Sequence, residues 1–232
     1  MTTVVLAHSP VTGPAAWGDL PAALGDRGVD TVVLDVTDDD APPYAVSYVA
    51  RAATQLMAAR PDDAVLAGHS GAGYLLPPLA AAARAAGRRV RGYVFVDAGL
   101  PPVREATRLT LMHAEDPAFA AELEGELRSG ARFPAWTSEE LRDLVPDQRL
   151  RDDLVASLRP RGLDFFTEPL PVTADWPDAP CGYLHHSASY DSAARSARLR
   201  GWPVVDTDLG HFAACADPVR VADDLVAVIG AL

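Results

Sequence analysis

The apolar positions of this chain fall into short runs separated by longer stretches with a helical period. Thr3-Val4-Val5-Leu6-Ala7, Thr31-Val32-Val33-Leu34, Ala64-Val65-Leu66-Ala67 and Val90 to Val96 are short, largely apolar and rich in β-branched residues. Strands buried on both faces of a parallel sheet carry that pattern. Between them, Ala15 to Gly28 places Trp17, Leu20, Ala23 and Leu24 at helical spacing and stops at a glycine, and Ser47 to Ala59 reads as a second helix. A third follows Ser70 and runs to Gly87, with Pro77-Pro78 expected to kink or restart it. Strand and helix alternate, so a parallel sheet with right-handed crossovers and helices on both faces is predicted.

The rhythm breaks between Pro101 and about Pro180, where helical patterns recur without a convincing strand. Ala118 to Leu127 is one predicted helix. Thr137-Ser138-Glu139-Glu140 is a capping box that opens another, and Gln148 to Leu158 is a third, ended by Pro160. An all-helical insertion between two strands is well placed to cap a site. Of its large apolar residues, Met112, Phe119, Phe133, Trp136, Phe165, Phe166 and Trp176, most are expected in the cap's own core and some along a pocket. The sheet then resumes with Cys181 to His186, a helix over Ser192 to Leu199, a strand over Pro203 to Asp206 and a last helix over Pro218 to Ile229. The expected fold is α/β: a mostly parallel sheet of about six strands, with a helical cap after the fourth. Residues 1–100 and 180–232 form the core and 101–179 the cap.

One junction carries the chemistry. The run Val65-Leu66-Ala67 leads into Gly68-His69-Ser70-Gly71-Ala72-Gly73 and then into an Ala/Leu-rich helix. A serine on so sharp a strand-to-helix turn is a nucleophile elbow, and the turn needs small residues at Gly68 and Ala72, where strand and helix approach. A phosphate-binding loop fits poorly, because no lysine follows and no Gly-x-Gly-x-x-Gly is completed. A serine hydroxyl is a weak nucleophile and needs a base that is itself oriented by a third group. Of six histidines, His211 lies in a loop after the last strand, at the sheet edge where Ser70 must also lie. It is the natural base.

Composition narrows the partners. A formal charge of −12 over 232 residues argues against nucleic acid and anionic membrane surfaces. The amino terminus has no basic region and only a short apolar run, and no stretch approaches a membrane span, so a cytoplasmic protein is expected. Cys181 and Cys215 are too few for a disulfide framework or metal cluster, and no metal or cofactor is expected. Asp38-Asp39-Asp40 reads as a solvated acidic loop. The expected partner is a small-molecule substrate, and self-association as a homodimer stays open.

The elbow around Ser70 and the loop Gly210-His211-Phe212 resemble those of the α/β-hydrolase superfamily. Leu6-Ala7-His8-Ser9 with Trp17, Tyr93 to Ala98, and Leu158-Arg159-Pro160 with Phe165 to Pro171 resemble its small capped branch of plant methylesterases, hydroxynitrile lyases and bacterial relatives. The resemblance implies a Ser/His/acid site without cofactor, and no particular substrate. The leading expectation is hydrolysis of a small, largely apolar ester, lactone or related carbonyl compound. A lyase or cyclase, or a non-catalytic binding protein, are the alternatives.

Two positions depart from that branch. Aligned by His8, the residue whose N–H would help form the oxyanion hole is Pro10, which has none. Gly71 N–H remains, with Val11 N–H, or the hydroxyls of Ser9 or Thr12, as the second donor. The aspartate expected after the penultimate strand aligns with Ser189. The triad acid is then Asp97, at the end of the strand after the elbow, or Asp191. Asp97 is favoured, since its position needs no gap. His8, Ser9, Pro10, His69 and Trp136 are expected to contact substrate.

Overall fold

Six strands run side by side in one sheet in the computed structural model, which describes residues 2–232. They are β1 (Thr2–Ala7), β2 (Asp30–Val33), β3 (Asp63–Ser70), β4 (Arg89–Ala98), β5 (Cys181–His185) and β6 (Val204–Asp206). Their order is β2-β1-β3-β4-β5-β6, and every neighbouring pair is parallel. The side-chain alternation of the strands splits the core in two. Val5, Leu66, Phe95 and Tyr183 pack under α2 (Tyr44–Ala59), α3 (Leu76–Ala85) and α8 (Asp191–Leu199). Val4, Val65, Val94 and Leu184 pack under α1 (Leu20–Gly25) and α9 (Pro218–Gly230) on the other face.

The chain runs outward from β1 to β2, then back across β1 to β3. The carboxyl ends of β1 and β3 therefore flank a topological switch point, the crevice where open α/β sheets bind ligands. The loop after β1 carries Ser9, Pro10 and Val11, and β3 ends at Ser70.

Several local expectations need correcting. The helix predicted over Ala15 to Gly28 is a 3-10 turn, Pro14–Trp17, followed by the short α1. Gly18 separates them at φ 48°, where a Cβ would lie 3.0 Å from Ala214 O and Cys215 Cα. That close approach forces a turn that only glycine makes cheaply. Pro77 and Pro78 restart the helix after the elbow: they fall in the first turn of α3, where their missing N–H groups have no helical partner to lose.

Between β4 and β5 lie α4 (Arg108–Glu115), α5 (Pro117–Arg128), α6 (Gln148–Ser157) and α7 (Leu163–Thr167), of which α4 and α7 were not predicted. The Thr137 capping box forms, with Thr137 N–H donating to Glu140 Oε2 at 2.8 Å. It opens only turns, because Pro146 bars helical continuation beyond Val145. Leu141, Val145, Leu150 and Leu154 dock this segment on Ala16, Phe212 and Cys215. Leu109, Leu123, Leu127 and Phe165 dock it beside Tyr44.

The acidic loop is not simply solvated. Asp38 and Asp40 each lie 2.8 Å from the guanidinium of Arg161, which is 2% exposed. Arg161 Nη2 also donates to Pro10 O at 3.1 Å. An ion pair so far from water needs its remaining donors filled, and this carbonyl fills one. The helical insertion, the acidic loop and the turn after β1 are thereby fastened to one side chain.

Candidate active site

The β3-to-α3 junction bends as the sequence requires. Ser70 sits at φ 56°, a left-handed conformation that is strained for a residue with a Cβ and is held by its surroundings. The pairing of β3 with β4 shifts register between His69 and Ser70, so the strand end turns out of the sheet. Gly68 faces Leu76, where a Cβ would lie 3.0 Å from its side chain. The most demanding position is Gly73, whose Cβ would fall 2.1 Å from Gly99 O. Any side chain there would push α3 away from β4.

Asp97, one residue before the end of β4, has its carboxylate buried and fully engaged. Oδ1 accepts the His186 and Ser187 N–H groups at 2.9 and 3.0 Å, and Oδ2 accepts the Ser187 hydroxyl at 2.5 Å. His211 Nδ1 lies 2.7 Å from Oδ2. Burial alone would raise the Asp97 pKa. The hydrogen bond and charge of His211, with those from Ser187 and His186, outweigh burial and hold it below the usual carboxylate range. An ionised Asp97 makes Nδ1 the donor, which leaves Nε2 of a neutral His211 free to accept. Asp191 is elsewhere: it lies 3.0 Å from His185 Nε2, with its side chain 59% exposed.

Ser70 Oγ is 3.0 Å from Tyr190 OH, and no hydrogen bond joins it to His211 among the described residues. The Tyr190 ring stacks on the His211 imidazole, centroids 5.3 Å apart and planes 14° from parallel. Ser187 and Tyr190 were both missed by sequence reasoning. Their one signal was position, in the loop leaving the carboxyl end of β5.

Ser70, Tyr190 and His211 open on a cavity of about 420 Å³. Ser9, Pro10, Val11, Gly71 and Trp136 line it. Pro10 is the second residue of a turn closed by Thr12 N–H on Ser9 O at 3.0 Å, and the Thr12 hydroxyl also turns back to Ser9 O. Thr12 is thus occupied. A Cβ on Gly71 would lie 3.1 Å from Ser9 Oγ, so the turn and the elbow meet closely. The N–H groups of Gly71 and Val11 have no hydrogen-bond partner among the described residues.

His8 and His69 do not line the cavity, contrary to expectation. His8 is fully buried; its Nε2 accepts Val36 N–H at 3.1 Å, and burial depresses its pKa to about 4. It clips β1 to the chain beyond β2. His69 Nε2 donates to His211 O at 2.8 Å, and its ring lies 4.5 Å from that of His211. Burial, then the neighbouring His211, lowers its pKa and keeps it neutral. It braces the His211 loop from behind. Met112, Phe119, Phe133, Phe165 and Phe166 line the cavity to a greater extent than predicted, whereas Trp176 packs against Phe95 and Trp202 instead.

The model of the alpha/beta hydrolase family matches residues 4–224. The chain belongs to that family. No curated protein matches its sequence. Among solved structures, it is similar to an extracellular α/β-hydrolase from a Paenibacillus species described as sharing structural and functional homology with tobacco salicylic acid binding protein 2. The two are 14% identical, the match covers 98% of this chain and 99% of that one, and the TM-score is 0.76. A pyrethroid hydrolase from Sphingobium faniae JZ-2 is 16% identical over 100% of this chain and 98% of its own, with a TM-score of 0.69. Tomato methylketone synthase I, complexed with 2-tridecanone, is 17% identical over 99% and 98%, with a TM-score of 0.66. At such identities the likeness is one of fold, and this family member's chemistry has to come from its own site. No helix among its described residues is long and apolar enough to cross a membrane.

Proposed function

We propose that this hydrolase-family protein is a cofactor-independent serine esterase acting on small, largely apolar carboxylic esters. Ser70 is the nucleophile, His211 the base and Asp97 the orienting acid. The observation that carries the reading is the 2.7 Å contact of His211 Nδ1 with a buried, four-fold hydrogen-bonded Asp97, beside a serine held at φ 56° on the same cavity. A carboxylate so fully engaged is of little use as a proton acceptor and well suited to holding an imidazole in one tautomer.

The reaction follows from that arrangement. An entering ester displaces the Tyr190 hydroxyl from Ser70, and Ser70 turns to His211 Nε2; catalytic hydrogen bonds often close only when substrate is present. Nε2 takes the hydroxyl proton as Oγ attacks the carbonyl carbon. The oxyanion is met by the Gly71 N–H, at the start of the elbow helix, and by Val11 N–H, with Ser9 Oγ nearby. A donor of this kind is typically worth ~3 kcal/mol of transition-state stabilisation, so the loss at Pro10 needs this replacement. His211 then passes its proton to the leaving alcohol, and water repeats the sequence on the acyl-enzyme. The helical insertion over residues 101–179 serves as a cap whose aromatic wall takes the apolar part of the ester.

The test is a chromogenic p-nitrophenyl ester of a short acid under pre-steady-state conditions. A burst of about one nitrophenolate per active site, absent from Ser70→Ala, is expected for an acyl-enzyme. Undiminished turnover by Ser70→Ala would remove the nucleophile and overturn the reading.

A further inference from the structure

The wall contributed by α4 holds a charged group that the esterase reading does not use. Arg108, Met112 and Glu115 are spaced i, i+4 and i+7, which puts them on one stripe of the helix, and all three line the cavity. The two charges at its ends are treated differently. Arg108 is tied to the frame through Nη1, which donates to Phe165 O at 3.0 Å; the guanidinium lies 3.9 Å from the Phe165 ring centre and Glu168 is 3.6 Å away, while Nε and Nη2 are buried without hydrogen-bond partners among the described residues. Glu168 in turn accepts the Tyr44 and Ala45 N–H groups at the start of α2, so this pair belongs to the frame. Glu115 has no such commitment. Among the described residues no hydrogen bond or ion pair reaches its carboxyl, and burial is the sole cause that raises its pKa, to about 7.

Two turns of helix, about 10 Å, separate it from Arg108. The carboxyl therefore faces the cavity without a counter-charge beside it. Glu115 lines the same cavity as Ser70, Tyr74 and Tyr190, so it belongs to this site and not to a remote surface. Much of the remaining wall is aromatic, with Asp116, Glu140, Leu141 and Leu144 also lining the cavity: Phe119, Phe133 and Trp136 follow one another edge to face, with ring centres 5.9 and 5.3 Å apart. A carboxylate beside π systems is poorly matched to an anionic or purely hydrocarbon ligand. It matches a cation, which the carboxylate neutralises and the rings attract through their quadrupoles.

We infer that the ester taken by this cavity carries a basic or quaternary nitrogen, which sits against Glu115 and the aromatic wall while the acyl carbon lies at Ser70. The inference rests on the esterase reading for the second half of that sentence only; the cation site stands on α4 and the rings. An acidic protein of formal charge −12 also draws cations toward the cavity over longer range.

Acetylcholine and 3,3-dimethylbutyl acetate, equal in shape and differing in charge, separate the two claims. Calorimetric titration of the Ser70→Ala protein at about pH 8, where a carboxyl of pKa near 7 is ionised, measures binding without turnover. Acetylcholine is expected to bind at least about ten-fold more tightly than its uncharged isostere. Adding Glu115→Gln should bring the ratio to about one, and Glu115→Lys should invert it, with thermal melting confirming that each variant is folded. Ratios of kcat/KM for the two esters on the active protein should follow the same order, any loss common to both esters cancelling. Equal or weaker binding of the cation, or a preference that survives Glu115→Gln, overturns the inference. Preferential cation binding with neither ester hydrolysed leaves the cation site standing and removes the esterase reading; equal binding with both esters hydrolysed does the reverse.

Discussion

The floor and the wall of the cavity are built on opposite principles. In the floor, at the carboxyl ends of β3 and β4, the groups that fix geometry are held tightly: Asp97 accepts four hydrogen bonds, His69 holds the His211 backbone, and the elbow leaves no room at Gly73 for a side chain. In the wall, contributed by the helical insertion, rings pack edge to face and one carboxyl, Glu115, has no partner. A site needs rigid geometry where bonds change and tolerates variety where ligands are chosen. The floor therefore accounts for a reaction class, and the wall for what is admitted to it.

The largest expected effect breaks the floor. Ser70→Ala and His211→Ala should each lower ester turnover by a factor on the order of 10⁶, with the double variant little worse than either, because residues acting as one unit are not additive. Losses that multiply in the double variant would show that the two act separately.

Next comes the acid. Asp97→Asn should cost a factor on the order of 10⁴ in kcat, as loss of an orienting carboxylate does. Asp191→Asn should cost almost nothing, since it meets only His185. The same substitution at Asp97 has a second readout. Its folded pKa lies below the ordinary 3.8, so its contribution to stability is fully present above pH 3.8 and is lost as pH falls through the lowered value. Asp97→Asn should flatten that acid limb of a stability-against-pH curve; an unchanged limb would place the acid sensitivity elsewhere.

The wall responds differently. Trp136→Ala removes apolar contact that substrate and transition state share. KM for a bulky ester should rise by about ten-fold, with kcat nearly unchanged. A fall in kcat alone would mean that the wall also positions the reacting carbon.

The smallest effect sits where floor and wall meet. In the proposed reaction the Tyr190 hydroxyl, 3.0 Å from Ser70 Oγ, has to release it, so Tyr190→Phe should raise kcat/KM by at most about ten-fold, the worth of one neutral hydrogen bond. A decrease would instead make Tyr190 a donor in the transition state.

What the sequence by itself determined follows from short-range physics. Runs of β-branched residues separated by helical periods specify an alternating parallel sheet, and small residues around Ser70 specify an elbow. A histidine in the loop after the last strand has to return to the same sheet edge. The meeting of Asp97 with His211 was legible for a like reason, since Asp97 lies near the end of the strand beside the elbow and no gap intervenes. The break at Gly18, the single turn after Thr137 and the helix α4 were not, because each depends on what packs against it or on a proline several residues away. Only the tertiary structure decided that Asp38 and Asp40 grip Arg161, that His8 clips β1 to the chain beyond β2, that His69 braces the His211 loop and that Tyr190 reaches Ser70. These are contacts between residues far apart in the chain, and no local period records them. Glu115 is the sharpest case: on the sequence it is one acidic residue among many, in a stretch where no helix was predicted. Its chemical character comes from a neighbourhood of rings, with no cation beside it, that exists only once α4 is folded over the sheet.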